Sequence, residues 1–341
     1  MRDVGALVSI GIAAFMLLLA ECGKSSSPTD SGETTGPMGA DGGGSVGPLD
    51  GGPGSDGSGS GGFPDSGAPE AGGVAVDASI SEGVDAPSGC GLVGAPTGVF
   101  SNQTITVGDQ ARTYVLSVPR SYDPSTPLAL VFGWHGHGGA GFQARQSYAV
   151  EPSAAGSAIF VYPDGVTNGA DWDYGQTGID VALFDALVSY LAGSYCIDRN
   201  RIFSTGLSAG AYFTNLLGCC RGDVLRAIAP VAGGPPSAAT CVGQVGAWVA
   251  HASNDALVDF TAGGVATRDF WASRNGCSTT LAPLAVGPSD CVEYQGCLSD
   301  LPVVWCVYSE GHAWPSMANC YDGGVCFDAG PAVWAFFARF K

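Results

Sequence analysis

The stretch "RIFSTGLSAGAYFTNLL" (residues 201–217) decides how this sequence of 341 residues folds. Its first six residues predict a strand, and apolar residues at helical spacing predict a helix over 209–220. Between them stands G-x-S-x-G, in which Gly206 and Gly210 leave room for a sharp turn that projects Ser208 above a sheet. The pentapeptide alone carries little weight in a chain with 54 glycines. The strand and the helix around it make Ser208 a candidate nucleophile.

Strand and helix patterns alternate through the rest of the chain from residue 89 onward. Continuous apolar runs such as "LALVFGWHG" (128–136) are typical of strands buried in a parallel sheet. The alternation predicts an α/β fold with a mostly parallel central sheet and helices on both faces. The other predicted strands are 111–119, 158–165, 225–233, 245–253 and 302–311, and the other predicted helices are 180–195, 265–275 and 330–340.

A serine nucleophile needs a base and an acid, because a serine hydroxyl is almost fully protonated at neutral pH. Two histidines follow the G-x-S-x-G motif. His312, in "EGHAWP", directly follows a predicted strand and is the predicted base, whereas His251 is expected to organise a loop. Asp255 follows the preceding strand and is the predicted orienting acid. Two other aspartates are weaker candidates: Asp259, which is kept in reserve, and Asp269, which is expected on a solvated helix face.

Negative charge that develops on a substrate carbonyl oxygen needs backbone N–H donors. The amide of Ala209, directly after the nucleophile, is one predicted donor. The second is expected in the glycine-rich loop "GWHGHGGAG" (133–141). His135 and His137 in this loop form H-x-H, which can bind zinc, but the next residues offer no further ligand. We therefore expect no metal at this loop.

Composition divides the chain into three parts. Residues 23–88 are rich in Gly, Ser, Pro and Asp, contain one aromatic residue and no Cys, and carry ten acidic side chains against one Lys. Such a segment buries too little apolar surface to offset the entropy of folding. We predict a signal peptide over 1–21, a disordered acidic linker over 22–88 and a folded domain over 89–341. The formal net charge of −18 argues against a nucleic-acid partner.

The first 22 residues predict export. An apolar stretch at 4–20 follows Arg2 and matches a signal-peptide core in length, while it is short for a membrane span. It ends in "LAEC", which resembles a bacterial lipoprotein cleavage site at which Cys22 receives the lipid. Plain secretion and an uncleaved anchor are the alternatives. All three place the domain outside the cytoplasm, and contact with a membrane is expected only through such an anchor.

Eleven cysteines follow Cys22, and this density in an exported chain predicts a disulfide framework. Because the number is odd, at least one cysteine is expected outside the disulfides. The adjacent Cys219 and Cys220 are the candidates, since neighbouring residues rarely bridge to each other. A zinc site is the competing interpretation, but Cys291 and Cys297 lack a C-x-x-C partner.

Six segments occur in order over nearly all of residues 89–341, among them "CGLVGAPTGVF", "YVLSVPRSYDPSTPLALVFGWHGHGG", "HASNDALVDF" and "EGHAWP". These six segments, one of which contains G-x-S-x-G, together resemble the secreted esterases grouped with feruloyl esterases and polyhydroxyalkanoate depolymerases. The resemblance implies an α/β-hydrolase fold and hydrolysis of carboxylic esters without a cofactor. It implies that Ser208, Asp255 and His312 form the triad. It also implies an oxyanion-hole amide at His137.

Aromatic residues near these motifs are candidate substrate contacts: Trp134, Trp172 and Trp314, with Tyr174 beside them. Such rings can stack on an aryl acyl group or a sugar. The expected substrates are feruloyl, aryl or hydroxyalkanoate esters, including those on plant-wall polysaccharide or polyester fragments. Two other interpretations stay open: a catalytically inactive binding lipoprotein of the same fold, and an acyltransferase or peptidase. A monomer is expected.

Overall fold

The computed structural model describes residues 88–341 apart from 168–170, 238–239, 286, 289, 299 and 321–322. The predicted signal peptide, the lipidation site at Cys22 and the linker up to residue 87 lie outside the described residues. None of the helices in the described ranges is both long enough and apolar enough to cross a membrane.

One sheet of ten strands runs through the described part of the chain. The strands are β1 (Gly98–Val107), β2 (Gln110–Val118), β3 (Leu128–Trp134), β4 (Ala158–Pro163), β5 (Ile197–Leu207), β6 (Ala227–Val231), β7 (Gly246–Ala252), β8 (Leu281–Pro283), β9 (Cys291–Tyr294) and β10 (Val303–Tyr308). Across the sheet their order is β1-β2-β4-β3-β5-β6-β7-β10-β9-β8.

The centre of the sheet is parallel. Strands β4, β3, β5, β6, β7 and β10 pair in parallel, whereas β1 and β2 on one side and β9 and β8 on the other pair in antiparallel fashion. Every residue of β3 and β4 is buried, as expected for parallel strands that are covered on both faces. The prediction of an α/β fold with a mostly parallel central sheet is confirmed.

Helices cover both faces of this sheet. The helices are α1 (Gly141–Tyr148), α2 (Val150–Ser153), α3 (Ile179–Ser194), α4 (Ala209–Cys220), α5 (Ala266–Arg274) and α6 (Ala329–Phe337), with a π-helical turn at Phe260–Val265 and a 3₁₀ turn at Met317–Asn319. Phe132 of β3 packs on Phe184 of α3, with ring centroids 4.8 Å apart. Phe203 of β5 stacks on Phe337 of α6 at 4.6 Å. Phe132 pairs with Ser204, the neighbour of Phe203, so the two phenyl rings point to opposite faces.

Some elements differ from the sequence prediction. The strand predicted over 128–136 ends at Trp134, because the residues that follow leave the sheet to form a loop of the site. The elements β1, β8, β9, α1 and α2 have no counterpart in the prediction. In β1 the register shifts between Phe100 and Gln103, around Asn102, whose φ is 53°. This irregularity interrupts the alternation that identifies a strand in a sequence.

Five disulfides support the predicted framework: Cys90–Cys196, Cys219–Cys241, Cys277–Cys297, Cys291–Cys306 and Cys320–Cys326. Of the adjacent pair, Cys219 forms a bridge, while Cys220 is buried and lies outside the five. Cys291 and Cys297 are both disulfide-bonded, which excludes them as zinc ligands. Disulfides in this number are consistent with an oxidising, extracellular compartment.

The two disulfides with the most different spans give a test of the fold's stability. Replacing Cys90 and Cys196, which are 106 residues apart, by Ala should lower the free energy of unfolding by about 4–5 kcal/mol, because a long loop is released in the unfolded chain. Replacing Cys320 and Cys326, which are 6 residues apart, should lower the free energy of unfolding by about 2 kcal/mol. Urea unfolding of the two double variants measures both free energies. An equal loss, or a larger loss for the short loop, would contradict this ranking.

Candidate active site

Ser208 lies at the turn between β5 and α4, with φ 56° and ψ −118°. A non-glycine residue in this region is strained by about 1–3 kcal/mol and persists only where its surroundings enforce it. The Ser208 N–H donates to the Val231 carbonyl at 3.0 Å, and its carbonyl accepts from the Ala211 N–H at 2.8 Å. Because α4 begins at Ala209, the positive end of this helix faces the serine.

The two glycines of the motif allow α4 to approach the end of β3. A Cβ atom on Gly210 would overlap the carbonyl group of Trp134. A Cβ atom on Gly206 would lie 2.8 Å from the same Trp134 oxygen. These glycines therefore bring helix and strand together, which is the close backbone contact that forces the turn at Ser208.

His312 and Asp255 form a hydrogen-bonded pair. Nδ1 of His312 donates to Oδ2 of Asp255 at 2.8 Å, and the Asp255 side chain has no solvent exposure. The backbone N–H groups of Leu257 and Val258 both donate to Oδ1 of Asp255 at 2.9 Å. Burial acts to raise the pKa of Asp255, but these three hydrogen bonds outweigh it and hold the pKa below its ordinary value. The carboxylate is therefore ionised and faces the imidazole.

Asn254 links the two loops that carry this pair. Its side-chain N–H donates to the Ser309 carbonyl and its side-chain oxygen accepts from the Gly311 N–H, both at 2.9 Å. The loops follow β7 and β10, which are parallel neighbours, so they leave the sheet at the same edge. Asn254 was not predicted as a site residue, and its only sequence signal is that it directly precedes Asp255.

His251 lies behind the acid. Its Nε2 donates to the Val258 carbonyl at 3.0 Å and lies 3.5 Å from Oδ2 of Asp255. Burial lowers the pKa of His251, which keeps the ring neutral. The bond to Val258 closes the loop that Asp255 caps, in agreement with the loop-organising role predicted for this histidine.

The reserve aspartates lie elsewhere. Asp259 caps the π-helical turn, where its Oδ1 accepts from the N–H groups of Thr261 and Ala262 at 2.9 and 2.7 Å. The Asp269 side chain is 59% exposed and pairs with Arg268. Of the three aspartates, Asp255 is the one bonded to His312.

The glycine-rich loop after β3 lies against the serine. A Cβ atom on Gly136 would be 3.6 Å from Cβ of Ser208. Buried His135 fixes this loop, because Nδ1 donates to the Gly136 carbonyl and Nε2 accepts from the Gly165 N–H, both at 2.8 Å. His137 is exposed, with its Nδ1 3.2 Å from Oδ2 of Asp171.

The H-x-H pair does not form a metal site. Both ring nitrogens of His135 are engaged with backbone groups, and burial lowers the pKa of this ring, which stays neutral. Within the described ranges, no group of three or more His, Cys, Asp or Glu side chains is arranged to hold a metal ion.

The predicted substrate contacts Trp134 and Trp172 belong to the core. Their exposures are 0% and 1%, and their indole N–H groups donate to the Ser204 hydroxyl and the His135 carbonyl, each at 2.9 Å. Trp314 is 6% exposed and stacks on Tyr148. Burial of this degree argues against direct contact between these indole rings and a substrate.

Tyr174 and Tyr212 are the exposed aromatic residues beside the turn. Each is 37% exposed, and their ring centroids are 6.4 Å apart. The Tyr174 hydroxyl donates to Oδ1 of Asp171 at 2.9 Å and lies 3.3 Å from the Ala209 carbonyl. Burial, followed by the Asp255 charge, raises the pKa of Tyr212. Tyr174 was among the residues predicted near the site, whereas Tyr212 was not. The position of Tyr212, one helical turn after Ser208, could have indicated that it lies beside the serine.

Comparison with known proteins gives a consistent result. The chain is similar to feruloyl esterase D of Neurospora crassa, with 33% identity over 275 residues that cover 74% of this chain and 90% of that protein. It is 34% identical to feruloyl esterase C of Emericella nidulans over 240 residues, which cover 66% and 83% of the two chains. An acetyl xylan esterase from Aspergillus awamori has a solved structure with a TM-score of 0.52 and 15% identity, over 66% of this chain and 94% of that one, which shows a shared fold. No family model matches the sequence.

Two glycine substitutions should have different effects, one on the stability of the domain and the other on the space beside Ser208. Gly210→Ala should destabilise the domain by at least about 1–3 kcal/mol, because its methyl group overlaps the Trp134 carbonyl. Gly136→Ala should leave thermal unfolding near that of the wild type but slow the labelling of the domain by a fluorophosphonate, because the methyl group enters the space beside the candidate nucleophile. Calorimetry and labelling rates measure the two effects. A stable Gly210→Ala variant would contradict the close approach of α4 and β3.

Proposed function

We propose, since the chain belongs to the feruloyl esterase family, that Ser208, His312 and Asp255 are the nucleophile, the base and the orienting acid of this carboxylic ester hydrolase. The proposal depends chiefly on one observation, the 2.8 Å bond between His312 Nδ1 and a fully buried Asp255. The segments that carry these residues follow strands whose carboxyl ends meet at the edge where the strained Ser208 lies.

The proposed chemistry is transfer of the acyl group to the serine and then to water. Asp255 accepts a hydrogen bond from the Nδ1–H group of His312 and stays ionised, so the Nε2 lone pair is available to remove the Ser208 proton as the oxygen attacks the ester carbonyl. Collapse of the tetrahedral intermediate breaks the ester bond, and His312 returns the proton to the leaving alcohol. Water then attacks the acyl-serine by the same route, which releases the acid and restores the hydroxyl.

Two backbone amides are proposed to stabilise the oxyanion. As the first residue of α4, Ala209 has no acceptor for its N–H inside the helix. His137 lies on the loop that approaches Ser208 at Gly136. Donors placed in this way contribute about 3–4 kcal/mol each to the transition state in acyl-transfer enzymes. His135, which fixes the loop through both ring nitrogens, supports this arrangement.

The acyl group is proposed to be aromatic and to pack against Tyr174 and Tyr212. These rings provide exposed apolar surface beside the nucleophile, whereas Trp134 and Trp172 are enclosed. An aryl ring that stacks on such a pair gains about 0.5–1.5 kcal/mol beyond area burial. A feruloyl ester, which carries a phenolic ring on its acyl side, fits this surface better than a hydroxyalkanoate ester does.

Export, tethering and subunit state complete the proposal. Five disulfides support an extracellular domain. The lipid anchor at Cys22, the flexible linker over 22–88 and a monomeric state remain proposals that come from the sequence. On this scheme the enzyme is held at the cell envelope and acts on esters within reach of its tether.

Three substitutions test the assignment of the triad. Ser208→Ala should lower kcat by roughly 10⁴-fold or more, because the nucleophile is removed. Asp255→Asn should lower it by about 10⁴-fold, because the imidazole loses its orienting charge and its tautomer. Asp259→Asn is the matched control and should keep kcat within a few-fold, since Asn also caps helical turns. The measurement is kcat from initial rates on methyl ferulate. A larger loss of kcat for Asp259→Asn than for Asp255→Asn would show that Asp259, and not Asp255, is the orienting acid.

Substitution of Tyr212 tests the acyl site. Tyr212→Ala should lower kcat/KM for a feruloyl ester by about three- to tenfold and leave that for an acetyl ester nearly unchanged, because one ring of the pair is lost. Tyr294→Ala, on β9 away from the turn, is the control and should change neither value. Equal losses on both esters in the Tyr212 variant would refute an aryl platform.

A further inference from the structure

The hydroxyl group of Tyr148, the last residue of α1, bridges two strands of the sheet. It donates to the Trp134 carbonyl at 2.8 Å and accepts from the Leu207 N–H at 3.1 Å. These backbone groups lie at the carboxyl ends of β3 and β5, where the pairing of the two strands ends at Trp134 and Gly206. One side-chain oxygen thus joins the two strands at the point where their pairing ends.

The ring of Tyr148 contacts a third segment. It stacks on the indole of Trp314, with centroids 4.0 Å apart and planes 14° from parallel. Trp314 follows His312 by two residues in the loop after β10. The same side chain therefore touches the residue before the loop of His135 and His137, the residue before Ser208, and the loop that carries the base.

Tyr148 is suited to a fixed geometry. It is 2% exposed, and burial raises the pKa of its hydroxyl far above the physiological range, so the group stays protonated and keeps its donor bond. A hydroxyl with one donor bond and one acceptor bond has its direction fixed at both ends. The phenol ring has only two side-chain torsions, so it resists displacement better than a flexible side chain.

We propose that Tyr148 is a positioning residue that sets the spacing between Ser208, the glycine-rich loop that carries His137, and His312. The inference rests on the proposed function of Ser208 and His312. It assigns to Tyr148 no contact with the substrate and no proton transfer. Its effect is on how well the reacting groups are aligned in the transition state, where a displacement of about 1 Å costs about 10²-fold in rate.

The chain offers a matched control for this proposal. Tyr162 on β4 is also 2% exposed, but its hydroxyl has no hydrogen-bond partner among the described residues. Tyr148→Phe and Tyr162→Phe therefore delete the same atom from two buried rings. The hydroxyl removed by Tyr148→Phe bonds to Trp134 and Leu207, whereas the hydroxyl removed by Tyr162→Phe makes no such bond.

The expected result is a split between kcat and KM. Tyr148→Phe should lower kcat on methyl ferulate by about 10- to 100-fold with KM within about threefold, because transition-state alignment is lost and ground-state binding is not. Tyr162→Phe should keep both values near those of the wild type. Burst titration with a fluorophosphonate counts competent molecules in each sample, so that kcat refers to folded enzyme.

A second variant covers the case in which Tyr148→Phe does not fold. Trp314→Leu removes the stack and leaves both hydrogen bonds of Tyr148, and it should lower kcat to a smaller extent with KM unchanged. Wild-type kcat in Tyr148→Phe, or in Trp314→Leu where that is the variant that folds, would overturn the proposal. So would equal losses in the Tyr148 and Tyr162 variants.

Ser208→Ala, assayed in parallel, separates this result from a failure of the proposed function. Turnover that survives in Ser208→Ala would reject the triad itself. Turnover that is abolished in Ser208→Ala and unchanged in Tyr148→Phe would reject only the positioning role.

Discussion

The backbone of Ser208 is held in a conformation that a residue with a side chain rarely adopts, and the rest of the site is built around that constraint. Gly206 and Gly210 bring α4 against the carbonyl end of β3, which leaves no room for a relaxed turn. The strain of about 1–3 kcal/mol is offset by backbone hydrogen bonds at both ends of the residue. As a result, Ser208 lies at the carboxyl end of β5, directly before the first N–H groups of α4, and the loop after β3 lies beside it.

Around this turn, Asp255 and His135 are held by hydrogen bonds to fixed partners. Asp255 accepts three hydrogen bonds, and His135 uses both ring nitrogens on backbone groups. Arg112 of β2 and Asp180 of α3 form an ion pair at 2.5 Å, and neither side chain is exposed to solvent. A buried pair of this kind is weak support for stability, but it fixes β2 relative to the start of α3. Oxygen and nitrogen atoms in such fixed positions are what electrostatic stabilisation of a transition state requires.

Much of this arrangement could be predicted from the sequence, because its signals are local. The strand, the G-x-S-x-G turn and the helix follow one another within residues 197–220, and Asp255 and His312 each follow an apolar run. The burial of the aromatic residues could not be predicted in this way. Trp134 and Trp172 lie within the motifs, but they are enclosed by residues that are distant in the chain, and a local sequence pattern contains no information about such packing. Asn254 and Tyr148 were missed for the same reason. Their contacts join segments that are more than fifty residues apart in the chain, and so does the Cys90–Cys196 disulfide, whose pairing depends on the completed fold.

The most direct test of the central claim is a crystal structure of the domain after reaction with diethyl p-nitrophenyl phosphate. We expect a diethylphosphoryl group on Ser208 Oγ, with its phosphoryl oxygen about 3 Å from the backbone nitrogens of Ala209 and His137. We also expect His312 to keep its bond to Asp255 while its Nε2 faces the adduct. A phosphoryl group on another residue, or one on Ser208 whose oxygen points away from both amides, would refute the proposed site.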